Sequence, residues 1–198
     1  MWRIFADRII IAALLTGLAA IFAASCSGSG DVAVPRPKGN PRIEAPDTIY
    51  RQVDGLPVKW LVNAAAVDSV TAHRSDAIWL NVIYPGGAAT MFCTFTPVTP
   101  ATCADVIENR SERMALNAGS NESEIISFTS EGGFAVKLMK TLHGTVTPLQ
   151  FLATSPGIVA TGAVYLPQLS AATADSLAPV MEYLNRDLMY ALTRLDHR

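Results

Sequence analysis

Thr147-Pro148-Leu149-Gln150-Phe151-Leu152-Ala153-Thr154 leads through Ser155-Pro156-Gly157 into Ile158-Val159-Ala160-Thr161-Gly162-Ala163-Val164-Tyr165-Leu166. The two outer runs are rich in apolar and β-branched residues, and each reads as a strand. Proline followed by glycine between them is turn chemistry. Strands joined by so short a turn pair antiparallel, because a parallel return needs a long crossover.

The same pattern extends outward. Glu124 to Thr129 and Phe134 to Leu142 read as two earlier strands. Val58-Lys59-Trp60-Leu61-Val62 and Ala77 to Tyr84 are also β-rich, and Pro85-Gly86-Gly87 turns the latter into Ala88 to Thr96 as a hairpin. Ala101 to Asn117 is a helix candidate with a partial apolar stripe (Ala104, Ile107, Met114, with Val106 and Leu116 beside it), ended by Ala118-Gly119-Ser120. Glu108, Arg110, Glu112 and Arg113 form its wet side.

At the C-terminus, Leu177, Val180, Met181, Leu184, Leu188, Leu192 and Leu195 recur at helical spacing with Ala191 beside them. On this pattern Glu182, Arg186, Asp187 and Arg194 face away from the stripe. Thr173 or Asp175 can cap this helix, and Pro179 is tolerable only in its first turn. The fold class predicted is α+β: an antiparallel sheet of about six or seven strands with two helices packed mainly on one face. Trp60, Trp79, Tyr84 and Phe92 fall in or beside strands, where core packing is the default.

The N-terminus has its own logic. Arg3 and Arg8 flank a short n-region, Ile9 to Phe22 is apolar, and Ala23-Ala24-Ser25 supplies small residues before Cys26. The apolar run is shorter than the ~20 residues of a spanning helix, so it reads as a signal peptide with Cys26 as the lipidated first residue of the mature chain. Residues 1–25 are then the lipoprotein signal, 26–34 a flexible tether beginning Ser27-Gly28-Ser29-Gly30, 35–55 an extended strap and 56–198 a single α+β domain. Pro35, Pro37, Pro41 and Pro46 forbid a helix in the strap, and two readings stay open for it: an extended segment docked on its own domain, or, through Arg36, Lys38 and Arg42, a candidate partner-binding segment that enters a partner's groove.

Loss of the signal removes Arg3, Arg8 and Asp7 and leaves thirteen basic against sixteen acidic residues. A mildly acidic chain without a basic cluster lacks the electrostatic footprint for nucleic acid. It also lacks a polybasic patch for anionic lipid, so membrane attachment rests on the acyl chains. Cys93 and Cys103 remain after Cys26 is acylated, and two readings stay open for them: a disulfide in an oxidising compartment, or two reduced, buried thiols. His73, His143 and His197 are isolated, with no HExxH and no C-x-x-C, so no metal is implied. No G-x-S-x-G elbow or phosphate loop is present, and the chain reads as a non-enzyme with no cofactor.

These residues together resemble the gliding-motility lipoprotein GldD family of the Bacteroidetes. The likeness rests on a lipid-acceptor cysteine followed by Pro35-Arg36-Pro37-Lys38-Gly39-Asn40-Pro41-Arg42-Ile43-Glu44-Ala45-Pro46 and Tyr50. It continues through Ile78 to Thr96, and ends with Thr147 to Thr154, Gly162-Ala163-Val164-Tyr165 and the helix Asp175 to Leu188. Family members can carry a cysteine pair flanking the early strands, which this chain lacks between Leu56 and Trp79. The order of elements also looks like the PsbP/Mog1-like sandwich, an analogy of fold alone.

The resemblance implies a cell-envelope lipoprotein anchored to a membrane and facing the periplasm. It would be a non-enzymatic structural or assembly component of the gliding-motility and type 9 secretion machinery, with other envelope proteins of that machinery as partners. The alternative is a periplasmic lipoprotein that binds a small molecule or lipid in a cavity between sheet and helices.

Overall fold

The computed structural model describes residues 45–72, 76–141, 144–170 and 173–198. In chain order the strands are β1 (Tyr50–Gln52), β2 (Val58–Lys59), β3 (Leu61–Asn63), β4 (Val67–Ala72), β5 (Ile78–Ile83), β6 (Thr90–Pro97), β7 (Ser123–Thr129), β8 (Ala135–Thr141), β9 (Leu149–Ser155), β10 (Ile158–Tyr165) and β11 (Asp196–His197). Helix α1 (Cys103–Ala118) lies between β6 and β7, and α2 (Ala174–Thr193) between β10 and β11.

Seven strands form one sheet in the order β4-β5-β6-β10-β9-β8-β7, with every neighbouring pair antiparallel. The β9–β10 hairpin pairs Ser155 with Ile158, so Pro156 and Gly157 alone make the turn. Gly157 sits at φ 86°, a positive angle that costs a glycine nothing. Two small pairings complete the architecture: β1 with β3, and β2 with β11.

Strand alternation sorts the side chains onto two faces. On the first face Leu80, Val82, Met91, Cys93, Phe95, Leu138 and Phe151 meet Val180, Leu184, Leu188 and Leu192 of α2. Trp60 fills the centre of this core, stacked on Phe151 at 5.4 Å between ring centres and edge-on to Phe95 at 5.7 Å. On the second face Val98, Leu152 and Val159 meet Met114 of α1, with Cys103, Val106 and Ile107 packed beside them.

The helices therefore cover opposite faces of the sheet, where the sequence pattern set both mainly on one. The cause is visible in β9, whose residues are buried on both sides. A strand with two covered faces loses the apolar–polar alternation. Helix α1 covers only the middle of its face, which leaves Trp79 and Phe92 partly open to solvent at 43% and 49% exposure rather than in the core. Leu116, grouped with the α1 stripe by sequence, is exposed.

Other boundaries shift as well. Tyr50–Gln52, assigned to the strap, is strand β1, paired with β3. The expected strand Val58 to Val62 is interrupted at Trp60, whose carbonyl accepts a bond from Val53 N at 2.9 Å. Pro179 stands six residues into α2, in its second turn, and removes one helical hydrogen bond there. Burial of Leu177 and Val180 on either side of it holds the helix in place. Thr173 is at the N-cap position, yet its hydroxyl bonds Ser170 N and Gln168 O instead of the helix.

The C-terminus is gripped by the turn between β7 and β8. Glu131 N donates to Thr193 O, Gly132 N to Leu195 O and Ser130 Oγ to Leu195 O. A Cβ on Gly132 would overlap the Asp196 backbone. Gly132→Ala should therefore cost about 1–3 kcal/mol through forced displacement of β11. Urea unfolding checks this, and an unchanged midpoint would contradict the close approach.

Candidate functional site

The least expected residue in the structure is Asp187. The sequence pattern sets it on the wet face of α2, but it is 3% exposed. Its position explains this: it lies three residues after Leu184 and four before Ala191, on the buried stripe itself. A carboxylate there must be paired or hydrogen-bonded, because a bare buried charge is very costly.

Two segments distant in sequence and its own neighbour Arg186 supply its partners. Tyr50 Oη of β1 donates to Oδ1 at 2.8 Å, and Asn63 Nδ2 of β3 donates to Oδ2 at 3.1 Å. Arg186 donates to Oδ1 through Nε at 3.1 Å and Nη2 at 3.0 Å. The same donors hold residues within the strap: Asn63 Nδ2 also bonds Asp47 O at 2.7 Å, and Arg186 Nη2 bonds Pro46 O at 3.3 Å. Tyr50 stacks on Tyr190 of α2 with ring centres 3.8 Å apart, and Arg194 lies over the Tyr190 ring at 4.1 Å.

Electrostatics follow from this geometry. Burial, and then the hydrogen bond and charge of Asp187, raise the Tyr50 hydroxyl above its ordinary value. Burial pushes Tyr84 far up, with Asp187 adding to it, and Tyr183 rises for the same two reasons. Arg186 is pulled down by burial, but its bonds to Asp187 and Tyr50 outweigh this and raise it. The cluster keeps its tyrosines protonated and its guanidinium charged, which makes a clamp and leaves no free acid–base group.

The sequence-predicted site residues fare differently. Cys26, Arg36, Lys38 and Arg42 lie outside the described residues. Cys93 and Cys103 are free thiols. They belong to clusters on opposite faces of the sheet, so no bridge joins them here. Burial pushes the Cys93 thiol well above its ordinary value, which makes it a packing residue and a poor nucleophile.

Ser155 Oγ lies 2.8 Å from His197 Nε2, a serine–histidine contact that the sequence did not suggest. Asp196 spends its Oδ1 on the His197 backbone N–H at 2.8 Å, not on the imidazole. Among the described residues no carboxylate orients the imidazole, so the third member of a hydrolytic triad is not found there. Among the described residues no group of three or more His, Cys, Asp or Glu could hold a metal.

The space between sheet and α2 is filled by Trp60, Phe95, Phe134, Phe151 and Leu184, all fully buried. What remains around the domain is open grooves. One of about 420 Å³ runs beside α2 along Leu149, Leu169, Ala178 and Met181, with Asn185 at its wall. Lying between the sheet and α2, it is a candidate place for the small-molecule alternative.

The chain matches the family Gliding motility lipoprotein GldD over residues 30–196. It belongs to that family. A search of curated proteins returned no match. The GldD match begins four residues after Cys26 and contains the strap, the whole sheet, both helices and every residue of the Asp187 clamp. Membership associates the chain with gliding motility and with a lipoprotein's attachment to a membrane of the cell envelope.

Two outcomes follow from the clamp. Asp187→Ala takes the acceptor from Tyr50 Oη, from Arg186 and from one of the two bonds of the Asn63 amide, and should cost about 3 kcal/mol, against about 1 kcal/mol for Tyr50→Phe. Chemical unfolding measures both, and equal losses would remove Asp187 from the centre. For pH, the folded-state tyrosines titrate above the unfolded ones, so the unfolded chain loses its protons first. Stability is then intact below pH ~10 and falls above it, by about 1.4 kcal/mol per pH unit for Tyr84. Tyr84→Phe should flatten that decline in melting temperature.

Proposed function

We propose that this protein is a lipoprotein anchored through Cys26 and facing the periplasm, where it serves as a non-enzymatic assembly component of the gliding-motility and type 9 secretion machinery. Its strap, with Arg36, Lys38 and Arg42, binds other envelope proteins of that machinery. The observation that carries this reading is the Asp187 clamp. It fixes the chain at Pro46, Asp47 and Tyr50 against α2, so that a segment of cationic and proline residues is tethered at one defined point of a rigid domain. A filled core and tyrosines held protonated suit a scaffold better than a catalyst.

A strain deleted for the gene tests the proposal. It should fail to glide and should accumulate type 9 cargo inside the cell. Wild type should restore both functions, and Cys26→Ser should restore neither. The triple variant Arg36→Ala, Lys38→Ala, Arg42→Ala should keep the melting temperature and still fail to complement. Normal gliding and secretion without the gene would overturn the machinery role; full rescue by the triple variant would overturn the strap's part in it.

A further inference from the structure

Helix α1 separates its charges in an uncommon way. Asp105, Glu108 and Glu112 recur along one strip, while Arg110 and Arg113 form another. No Glu or Asp stands three or four residues from either arginine, so the helix forgoes the i,i+4 pairs that would stabilise it. Neither arginine has a carboxylate partner among the described residues. Arg110 is also partly buried, and burial followed by the charge of Arg113 holds its guanidinium below its ordinary value. Two like charges side by side with no counterion make a standing electrostatic cost.

Both arginines line a groove of about 320 Å³ between α1 and the sheet, with Phe92, Thr94, Thr161 and Ala163 on the facing strands. One end is closed by a fixed polar pair: Asn117 Nδ2 donates to Gln150 Oε1 at 3.0 Å, and Gln150 Nε2 donates to Met114 O at 3.2 Å. Away from α1 the groove continues into the uncovered part of the sheet. Strand register puts Phe92 beside Ala163, and the next row on that face is Ile83, Thr90 and Tyr165. Phe92 and Ile83 are each 49% exposed and Tyr165 is 38% exposed.

We propose that this groove binds an extended acidic segment of a partner protein, its carboxylates on Arg110 and Arg113 and its apolar side chains on Phe92 and Ile83. Guanidinium forks match carboxylates in geometry as well as charge. In an extended chain alternate side chains share one face, so acidic and apolar residues two apart would meet the arginines and the apolar row together. The open, elongated form of the site fits a peptide better than a compact anion. This names a second contact for the assembly role proposed above and rests on that reading for its partner, but the groove lies on α1, apart from the strap's anchorage on α2.

The test uses the detergent-solubilised full-length protein and a fluorescein-labelled peptide with glutamate and leucine alternating at every second position, separated by serine. Wild type should bind it, with affinity falling as salt rises. Arg110→Gln with Arg113→Gln, which keeps the apolar stems, should bind at least about tenfold more weakly at an unchanged melting temperature. Replacing glutamate by glutamine in the peptide should do the same, whatever the variant's stability. Equal binding by wild type and double variant would overturn the proposal. So would arginine-dependent binding to phosphatidylglycerol vesicles without binding to the peptide, which would give the groove to a phospholipid headgroup. In cells, a deletion strain carrying the double variant at normal abundance should not glide. Full rescue would overturn the groove while leaving the envelope role intact, and a deletion that glides would overturn the envelope role alone.

Discussion

The carboxylate of Asp187 organises the N-terminal end of the described chain. A single buried charge on α2 demands donors, and it takes them from β1, β3 and its own neighbour Arg186. The segment that carries β1 is thereby fastened across α2, and β1 then pairs with β3. Hydrogen bonds to a charged group are stronger than neutral ones, and those inside a protein gain further from the low local dielectric. Remove the carboxylate and the segment keeps its pairing with β3, the Arg51 bonds to Asp68 and Ala66 O and the stacking of Tyr50 on Tyr190, but loses the charged acceptor that ties it to α2.

The rest of the fold gives that clamp a rigid base. Trp60, inserted between Phe151 and Phe95, locks the chain between β2 and β3 onto the sheet, and α2 packs over the same core. The opposite face is treated differently. There α1 covers β9 and the inner part of β10 and leaves the outer strands open, with aromatic and aliphatic side chains in solvent. One face of the sheet is thus completed internally, while the other keeps a bare region beside two unpaired arginines.

Much of the sheet was legible in the sequence because hairpins announce themselves. Pro156-Gly157 and Pro85-Gly86-Gly87 fixed two turns, and the strands on either side followed to within a few residues. The short or exposed strands escaped. In β4, Val67 is exposed and Val70 half-buried, so no clean alternation shows, and β11 is too short to have a pattern. The covering of both faces was encoded in Phe151-Leu152-Ala153 at the centre of β9, a run too short to show by itself that both faces are covered. Asp187 was missed for a related reason: charge is taken as a sign of solvent, although its spacing from Leu184 and Ala191 placed it inside. The signal was position, and residue type masked it. The two thiols were undecidable by spacing, since only the fold shows which face each one joins.

Native-state hydrogen exchange on Asp187→Asn tests most directly whether the clamp holds the strap's end to the domain. Protection should be lost at the amides of residues 50–52 and at Ala64, which bonds Ile49 O, while the amides of β6, β9 and β10 exchange as in wild type. Unchanged protection at residues 50–52, or a uniform loss across the whole sheet, would contradict it.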